Sequence, residues 1–121
     1  MKVLYVDDEA DIRTIASMAL ELDPEFEVRT ESSGAAALTT AADWRPDAIL
    51  LDVMMPSMDG PTTLARLRQN AATSSIPVIF ITARAQSHEI KHYISLGALD
   101  VITKPFDPMG LAATVRRKIA A

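Results

Sequence analysis

Four strand-like apolar segments of this sequence each lead into a polar residue that could do chemistry. Asp7 and Asp8 follow KVLYV, Asp52 follows DAILL, Thr82 follows IPVIFI, and Lys104 follows LDVIT. Such segments, alternating with helical patterns, are typical of a parallel sheet, whose ligands bind beyond the carboxyl ends of the strands. We therefore expect these side chains to meet at one edge of a sheet. Three carboxylates, a hydroxyl and an ammonium there would form a site for a cation and a phosphoryl group.

The three carboxylates predict a divalent cation. If Asp7, Asp8 and Asp52 lie together they repel one another, and burial raises the pKa of a carboxyl unless a cation offsets its charge. A hard ion such as Mg2+ binds through one or two carboxylates, water and substrate phosphate. Taken alone, Asp7 and Asp8 could simply cap the first helix. The presence of Asp52 and Lys104 at equivalent strand ends favours the cation site.

Asp52 is the candidate nucleophile of such a site. A carboxylate can attack a phosphoryl group and carry it as an acyl phosphate. This transfer depends mainly on charge neutralisation and alignment. Lys104 could supply positive charge, and Thr82 could donate a hydrogen bond to a phosphoryl oxygen. Taken alone, Thr82 would more simply cap the helix that follows it.

The pair Lys104-Pro105 at the end of the last strand is a candidate cis peptide bond. A cis bond there could direct the lysine ammonium inwards. The alternative is an exposed lysine beside an ordinary trans-proline turn.

The elements that must position these residues follow a strand–helix rhythm. The predicted strands cover residues 2–6, 26–29, 47–51, 76–81 and 99–103. The predicted helices, from apolar positions at three- and four-residue spacing, lie around residues 12–20, 33–43, 60–70, 86–96 and from 108 onward. The inner faces of the first and fourth helices are predicted to include Ile15 and Ile94, and Asp107 is the predicted N-cap of the fifth. The pattern predicts a single α/β domain across residues 1–121.

Composition excludes several classes of protein. The chain has 121 residues, 49% of them hydrophobic, no cysteine and a net charge of −4. Without cysteine there is neither a disulfide nor a thiolate metal site, and the negative charge argues against direct binding to nucleic acid or to an anionic membrane. No apolar run is long enough to span a bilayer, and since Met1 leads directly into the first strand pattern we expect no signal peptide. We expect a cytoplasmic domain.

Four short motifs together resemble one protein family. They are VDDE at residues 6–9, LLDVMMPSMDG at 50–60, IFITA at 79–83 and KPF at 104–106. Each is weak by itself, but in this order and at strand ends they are highly specific. Over essentially its whole length the chain resembles the receiver domain of two-component response regulators. The resemblance implies a doubly wound, five-stranded parallel sheet in order 2-1-3-4-5, a flavodoxin-like (CheY-like) three-layer sandwich.

The resemblance also implies roles for the strand-end residues. Asp52 would accept a phosphoryl group from a histidine kinase or a histidine phosphotransfer protein. The cation, Mg2+ or Mn2+, would be bound by Asp52, by Asp8 directly and by Asp7 often through water. The backbone carbonyl of Met54 would complete the protein ligands.

On the phosphoryl side, the resemblance implies that Thr82 moves toward the phosphoryl group, that the backbone of Ala83 contacts it and that Lys104 pairs with it. The chain would be a signalling switch rather than an enzyme, with altered protein binding as its output. It would be a monomer or a weak, phosphorylation-dependent dimer. The cognate kinase, the downstream effector or fused output domain, and whether the chain belongs to a longer regulator stay open.

One position departs from the family pattern. The family often places an aromatic residue three positions before the lysine of the last strand, and its rotation is coupled to the Thr. Here that position is Val101, which has no ring and is stiff at χ1. We expect the signal to travel instead through the loop around residues 82–84 and the fourth helix.

Two other classes of function compete with the switch. The first is a Mg2+-dependent phosphatase or phosphotransferase that uses Asp52 through an aspartyl-phosphate intermediate. Haloacid-dehalogenase-like phosphatases have a second Asp two residues after the nucleophile, and that residue here is Met54. The second is a flavodoxin-like binding module, but the acidic residues 7–9 would repel a cofactor phosphate after the first strand.

Overall fold

The computed structural model describes residues 1–120, which form five strands that alternate with five helices. The strands are β1 (Lys2–Val6), β2 (Glu27–Glu31), β3 (Ala48–Asp52), β4 (Val78–Thr82) and β5 (Asp100–Thr103). The helices are α1 (Ala10–Leu20), α2 (Gly34–Trp44), α3 (Gly60–Gln69), α4 (Ser87–Ser95) and α5 (Leu111–Ala120). Within residues 1–120, no helix combines the length and the apolarity that a membrane span requires.

The strands form one parallel sheet in the order β2-β1-β3-β4-β5. One face is covered by α2, α3 and α4, whose buried residues include Ala37, Leu64 and Tyr93. The other face is covered by α1 and α5, with Leu20 and Val115 in its core. The chain order reverses between β1 and β3, so the ligand crevice of such a sheet lies beyond their carboxyl ends. The predicted doubly wound fold and strand order are confirmed.

The burial of the strands explains why apolar runs in the sequence predicted them. Every residue of β3 and of β4 is buried, because helices cover both faces of a parallel sheet and leave continuous apolar runs in its central strands. The edge strand β2 has the polar sequence EVRTE and is only partly buried.

Helix ends follow ordinary capping chemistry. The Ser33 hydroxyl accepts a hydrogen bond from the Ala36 N–H at 3.1 Å at the start of α2. A carboxylate oxygen of Asp59 accepts from the Thr62 N–H at 2.8 Å at the start of α3. Gly97 follows α4 with φ of 110°, a left-handed conformation that glycine adopts without steric cost.

Three details differ from the sequence-based predictions. Ile15 and Ile94, predicted on inner faces, are 44% and 46% exposed, because periodicity does not separate the flank of an apolar stripe from its centre. The last helix begins at Leu111, and Asp107 instead accepts a hydrogen bond from the Met109 N–H at 3.1 Å. Asp107 therefore stabilises a turn that precedes α5 rather than capping the helix.

Candidate functional site

Parallel pairing of β1 with β3 brings the predicted carboxylates together. Val6 pairs with Leu51, so Asp7 and Asp52 stand at equivalent positions of neighbouring strands. One carboxylate oxygen from each of Asp7, Asp8 and Asp52 lies within 4.8 Å of the others. Asp7 and Asp52 are buried and Asp8 is exposed. We call these three residues and Lys104 the acidic pocket; its oxygen donors and one open side fit a small hard cation that keeps water ligands.

Asp7 is held by three donors. Its Oδ1 accepts a hydrogen bond from the Glu9 N–H at 3.0 Å. Its Oδ2 accepts one from the Tyr5 hydroxyl at 3.0 Å and lies 2.8 Å from the Lys104 ammonium. The side chain is completely buried. The N-cap residue of α1 is Glu9, which makes no side-chain cap bond, so Asp7 orders the turn before the helix and does not cap the helix itself.

Lys104 connects the two buried carboxylates. Its Nζ lies 2.8 Å from Asp7 Oδ2 and 3.4 Å from Asp52 Oδ1. Its backbone N–H donates to the Thr82 carbonyl at 2.9 Å, and the Lys104-Pro105 peptide bond is cis. Burial lowers the pKa of the Lys104 ammonium, but the hydrogen bond to Asp7 and the charges of Asp52 and Asp7 outweigh it and raise that pKa.

The pocket carries more negative charge than Lys104 offsets. Burial raises the pKa of Asp52 to about 6, and the Asp7 charge adds to this shift while Lys104 opposes it. Burial, followed by the charge and hydrogen bond of Asp7, also raises the pKa of Tyr5, so its hydroxyl stays a donor. A divalent cation would relieve the repulsion between Asp7 and Asp52.

Thr82 and Ala83 lie on the next strand end. Thr82 is buried, and its hydroxyl accepts a hydrogen bond from the Arg84 N–H at 3.0 Å. The N-cap residue of α4 is Gln86, so Thr82 does not cap that helix. Ala83 is exposed, at the rim of a cavity that also borders Lys104.

The loop after β3 closes tightly against Asp52. The Met54 side chain is exposed, while the Gly60 N–H returns to donate to the Val53 carbonyl at 2.9 Å. A Cβ on Gly60 would lie 2.6 Å from the carbonyl oxygen of Asp52. Glycine is therefore required here because the backbone of α3 approaches the backbone of β3 directly.

The region around Val101 contains an aromatic ring, that of Tyr93, which the sequence pattern did not predict there. Val101 is buried and pairs with Phe80 across β4 and β5. The Tyr93 ring of α4 contacts the Phe80 ring edge to face, with centroids 5.3 Å apart at 70°. All three residues belong to the same buried cluster. We call Phe80 and Tyr93 the aromatic pair.

Two further features of the site were not predicted from the sequence. Tyr5 was assigned only to the first strand, although its spacing of two from Asp7 places both side chains on one face. The second is an apolar cavity of about 340 Å3 beside Lys104, whose lining includes Ile12, Ile15 and Phe106. It forms where α1, the loop after β5 and Ala83 after β4 meet in the tertiary structure.

The fold and site define a class: a doubly wound α/β domain with an acidic pocket at its topological switch point. A sequence profile of the response regulator receiver domain matches residues 3–116. The chain belongs to this family.

Relatives and solved structures agree with the profile. The chain is 40% identical over 114 residues to the transcriptional regulatory protein CseB of Streptomyces coelicolor, covering 94% of the chain and 47% of CseB. It is 43% identical over 117 residues to the response regulator PleD of Caulobacter vibrioides, covering 95% of the chain and 25% of PleD. It is also similar to the chemotaxis response regulator CheY4 of Vibrio cholerae, with a TM-score of 0.88, 33% identity and 97% of each chain covered. The chain thus spans less than half the length of the two curated relatives.

Proposed function

We propose that this receiver domain is a phosphoacceptor switch in which Asp52 accepts a phosphoryl group. The supporting observation is the placement of a buried Asp52 carboxylate 3.4 Å from the Lys104 ammonium, at the ligand-binding edge of the sheet. An anionic oxygen and a neighbouring cation are the two parts that phosphoryl capture requires.

The transfer needs no general base: a phosphohistidine donor leaves as neutral imidazole because its other ring nitrogen carries a proton, and acetyl phosphate leaves as acetate. An ionised oxygen of Asp52 attacks phosphorus, the new O–P bond forms, and the bond to the donor nitrogen or oxygen breaks with its electron pair leaving on the donor. Lys104 then turns to a phosphoryl oxygen, and the Thr82 hydroxyl and the Ala83 N–H donate to others. Alignment and charge neutralisation carry most of the rate in such transfers.

The residues that would bind Mg2+ or Mn2+ are Asp7, Asp8, Asp52 and the backbone carbonyl of Met54. When bound, the ion would neutralise charge on the phosphoryl oxygens. The oxygen donor set and the raised pKa of Asp52 support this assignment. Asp8, the exposed member, suits a ligand that stays partly hydrated.

The phosphodonor is proposed to be a histidine kinase or a histidine phosphotransfer protein. An apolar face adjoins the cavity beside Lys104 and includes Ile15 and the more exposed Met18, Leu22 and Met109. Contiguous exposed apolar surface is typical of protein docking. A donor seated there would hold its phosphohistidine near Asp52. The output is then a change in protein binding, as a monomer or a weak dimer, with the effector or output domain unassigned.

The test is labelling with acetyl phosphate in the presence and absence of Mg2+. Wild type should take up one phosphoryl group per chain only with Mg2+, and Asp52→Asn should take up none. Asp43→Asn, an exposed carboxylate on α2, is the matched control and should label like wild type. Label that persists in Asp52→Asn would overturn the assignment, and continuous turnover of a generic phosphate ester would favour a phosphatase.

A further inference from the structure

Asp7 Oδ2 has two donors of different kinds. The Lys104 ammonium lies at 2.8 Å and the Tyr5 hydroxyl at 3.0 Å. Tyr5 is fully buried in β1, an inner strand of the sheet, and its ring meets the Phe106 ring edge to face with centroids 6.4 Å apart. The hydroxyl is therefore held against Asp7 by packing, whereas the lysine reaches Asp7 from a partly exposed chain.

This arrangement matters because Lys104 would also have to bind the phosphoryl group. Its Nζ is closer to Asp7 than to Asp52, at 2.8 against 3.4 Å. When Asp52 carries a phosphoryl group, Lys104 must turn from Asp7 to a phosphoryl oxygen. Asp7 Oδ2, on a fully buried side chain, would then lose its charged donor, and a buried acceptor without a partner is costly.

We propose that Tyr5 is a positioning residue, whose hydroxyl keeps Asp7 Oδ2 hydrogen-bonded and oriented while Lys104 transfers to the phosphoryl group. The inference rests on the proposed function of Asp52. Tyr5 touches neither donor nor phosphoryl group; it acts through Asp7. It lowers the cost of releasing Lys104, so its effect falls on the transfer step and not on binding of the donor.

The first test is Tyr5→Phe, which retains the ring and removes only the hydroxyl. The labelling rate at saturating acetyl phosphate and Mg2+ should fall about tenfold, as expected for loss of a hydrogen bond to a charged group, with the half-saturating acetyl phosphate concentration unchanged. Tyr93→Phe removes the other tyrosine hydroxyl of the chain, away from the pocket, and should label like wild type. An unchanged rate for Tyr5→Phe, in a chain where Asp52 does label, overturns the inference.

The second test does not use phosphorylation and so separates this inference from the function of Asp52. Tyr5→Phe should lower the midpoint of thermal unfolding by about 2 °C when Lys104 is present and by about 6 °C in a Lys104→Met background, because Asp7 Oδ2 then has no donor. Equal losses in both backgrounds overturn the inference. If wild type does not label at all, the proposed function fails while this measurement still decides the role of Tyr5.

Discussion

The acidic pocket lies where β1, β3 and β5 end, the aromatic pair packs between β4 and α4, and the two contribute to stability in opposite directions. In the pocket, two buried carboxylates share one ammonium, and burial holds the pKa of Asp52 near 6. Around the aromatic pair, Phe80 and Val101 are buried within one apolar cluster and Tyr93 covers them. The packed side therefore supplies stability, while the pocket retains unfavourable charge that a bound cation would offset.

The same comparison bears on how the two regions communicate. Valine replaces the family aromatic at position 101, yet a ring reaches Phe80 from α4 instead of from β5. Phe80 and Thr82 point to the same face of β4 because they are two residues apart. The contact between Phe80 and Tyr93 therefore offers a physical route for a signal through residues 82–84 and α4. That route stays a prediction.

The largest expected effect is on the packed side. Tyr93→Ala should destabilise the fold by about 3 kcal/mol, because it removes a nearly buried ring and its contact with Phe80. Labelling of Asp52 in the folded fraction should persist. Urea unfolding and acetyl phosphate labelling measure the two quantities, with the exposed Lys91→Ala as control. A loss of labelling in folded Tyr93→Ala would show that the two regions are not separable.

The next largest effect is a gain in the free energy of unfolding, and it concerns the acidic pocket. The pKa of Asp52 is raised from 3.8 to about 6, so the stability linked to its protonated form is complete below 3.8 and is lost as pH rises through 6. Asp52→Asn mimics the protonated form and should stabilise the metal-free protein by about 2 kcal/mol at pH 7.

This gain should shrink toward zero as pH falls from 7 to 4. Urea unfolding of wild type and Asp52→Asn across that range measures it. Asp43→Asn should show no comparable gain at any pH. If Asp52→Asn proved less stable than wild type at pH 7, the pocket would not hold unfavourable charge.

The smallest effect concerns loss of the phosphoryl group. The Met54 thioether is too weak an acceptor to orient water, and Arg84 is fully protonated and cannot act as a base, so self-dephosphorylation should be slow. Met54→Asn should shorten the lifetime of the phosphorylated protein by less than tenfold. This corresponds to a decrease of less than about 1.4 kcal/mol in the activation free energy of dephosphorylation. The decay of labelled protein after removal of acetyl phosphate reports it, with Met18→Asn as an exposed control. A wild-type lifetime of seconds that Met54→Asn lengthens would contradict this.

Much of the fold and site could be predicted because both depend on local order in the chain. Apolar runs and helical periodicity placed each strand within a few residues, and Asp7, Asp52 and Lys104 lie at strand ends that a parallel sheet must align on one edge. Ile15 and Asp107 were misplaced because periodicity and capping preference say nothing about which flank a neighbour covers.

By itself, the sequence determined which polar residue follows each strand, the acidic character of one sheet edge and the absence of an aromatic ring at position 101, which is Val101. Only the tertiary structure decided that Lys104 sits closer to Asp7 than to Asp52, that Tyr5 donates to Asp7, and that Tyr93 supplies a ring beside Phe80. The physical reason is the separation along the chain over which each feature is decided. Side-chain alternation along a strand is a property of neighbouring residues, whereas ångström-scale distances between segments are decided by how the whole core packs.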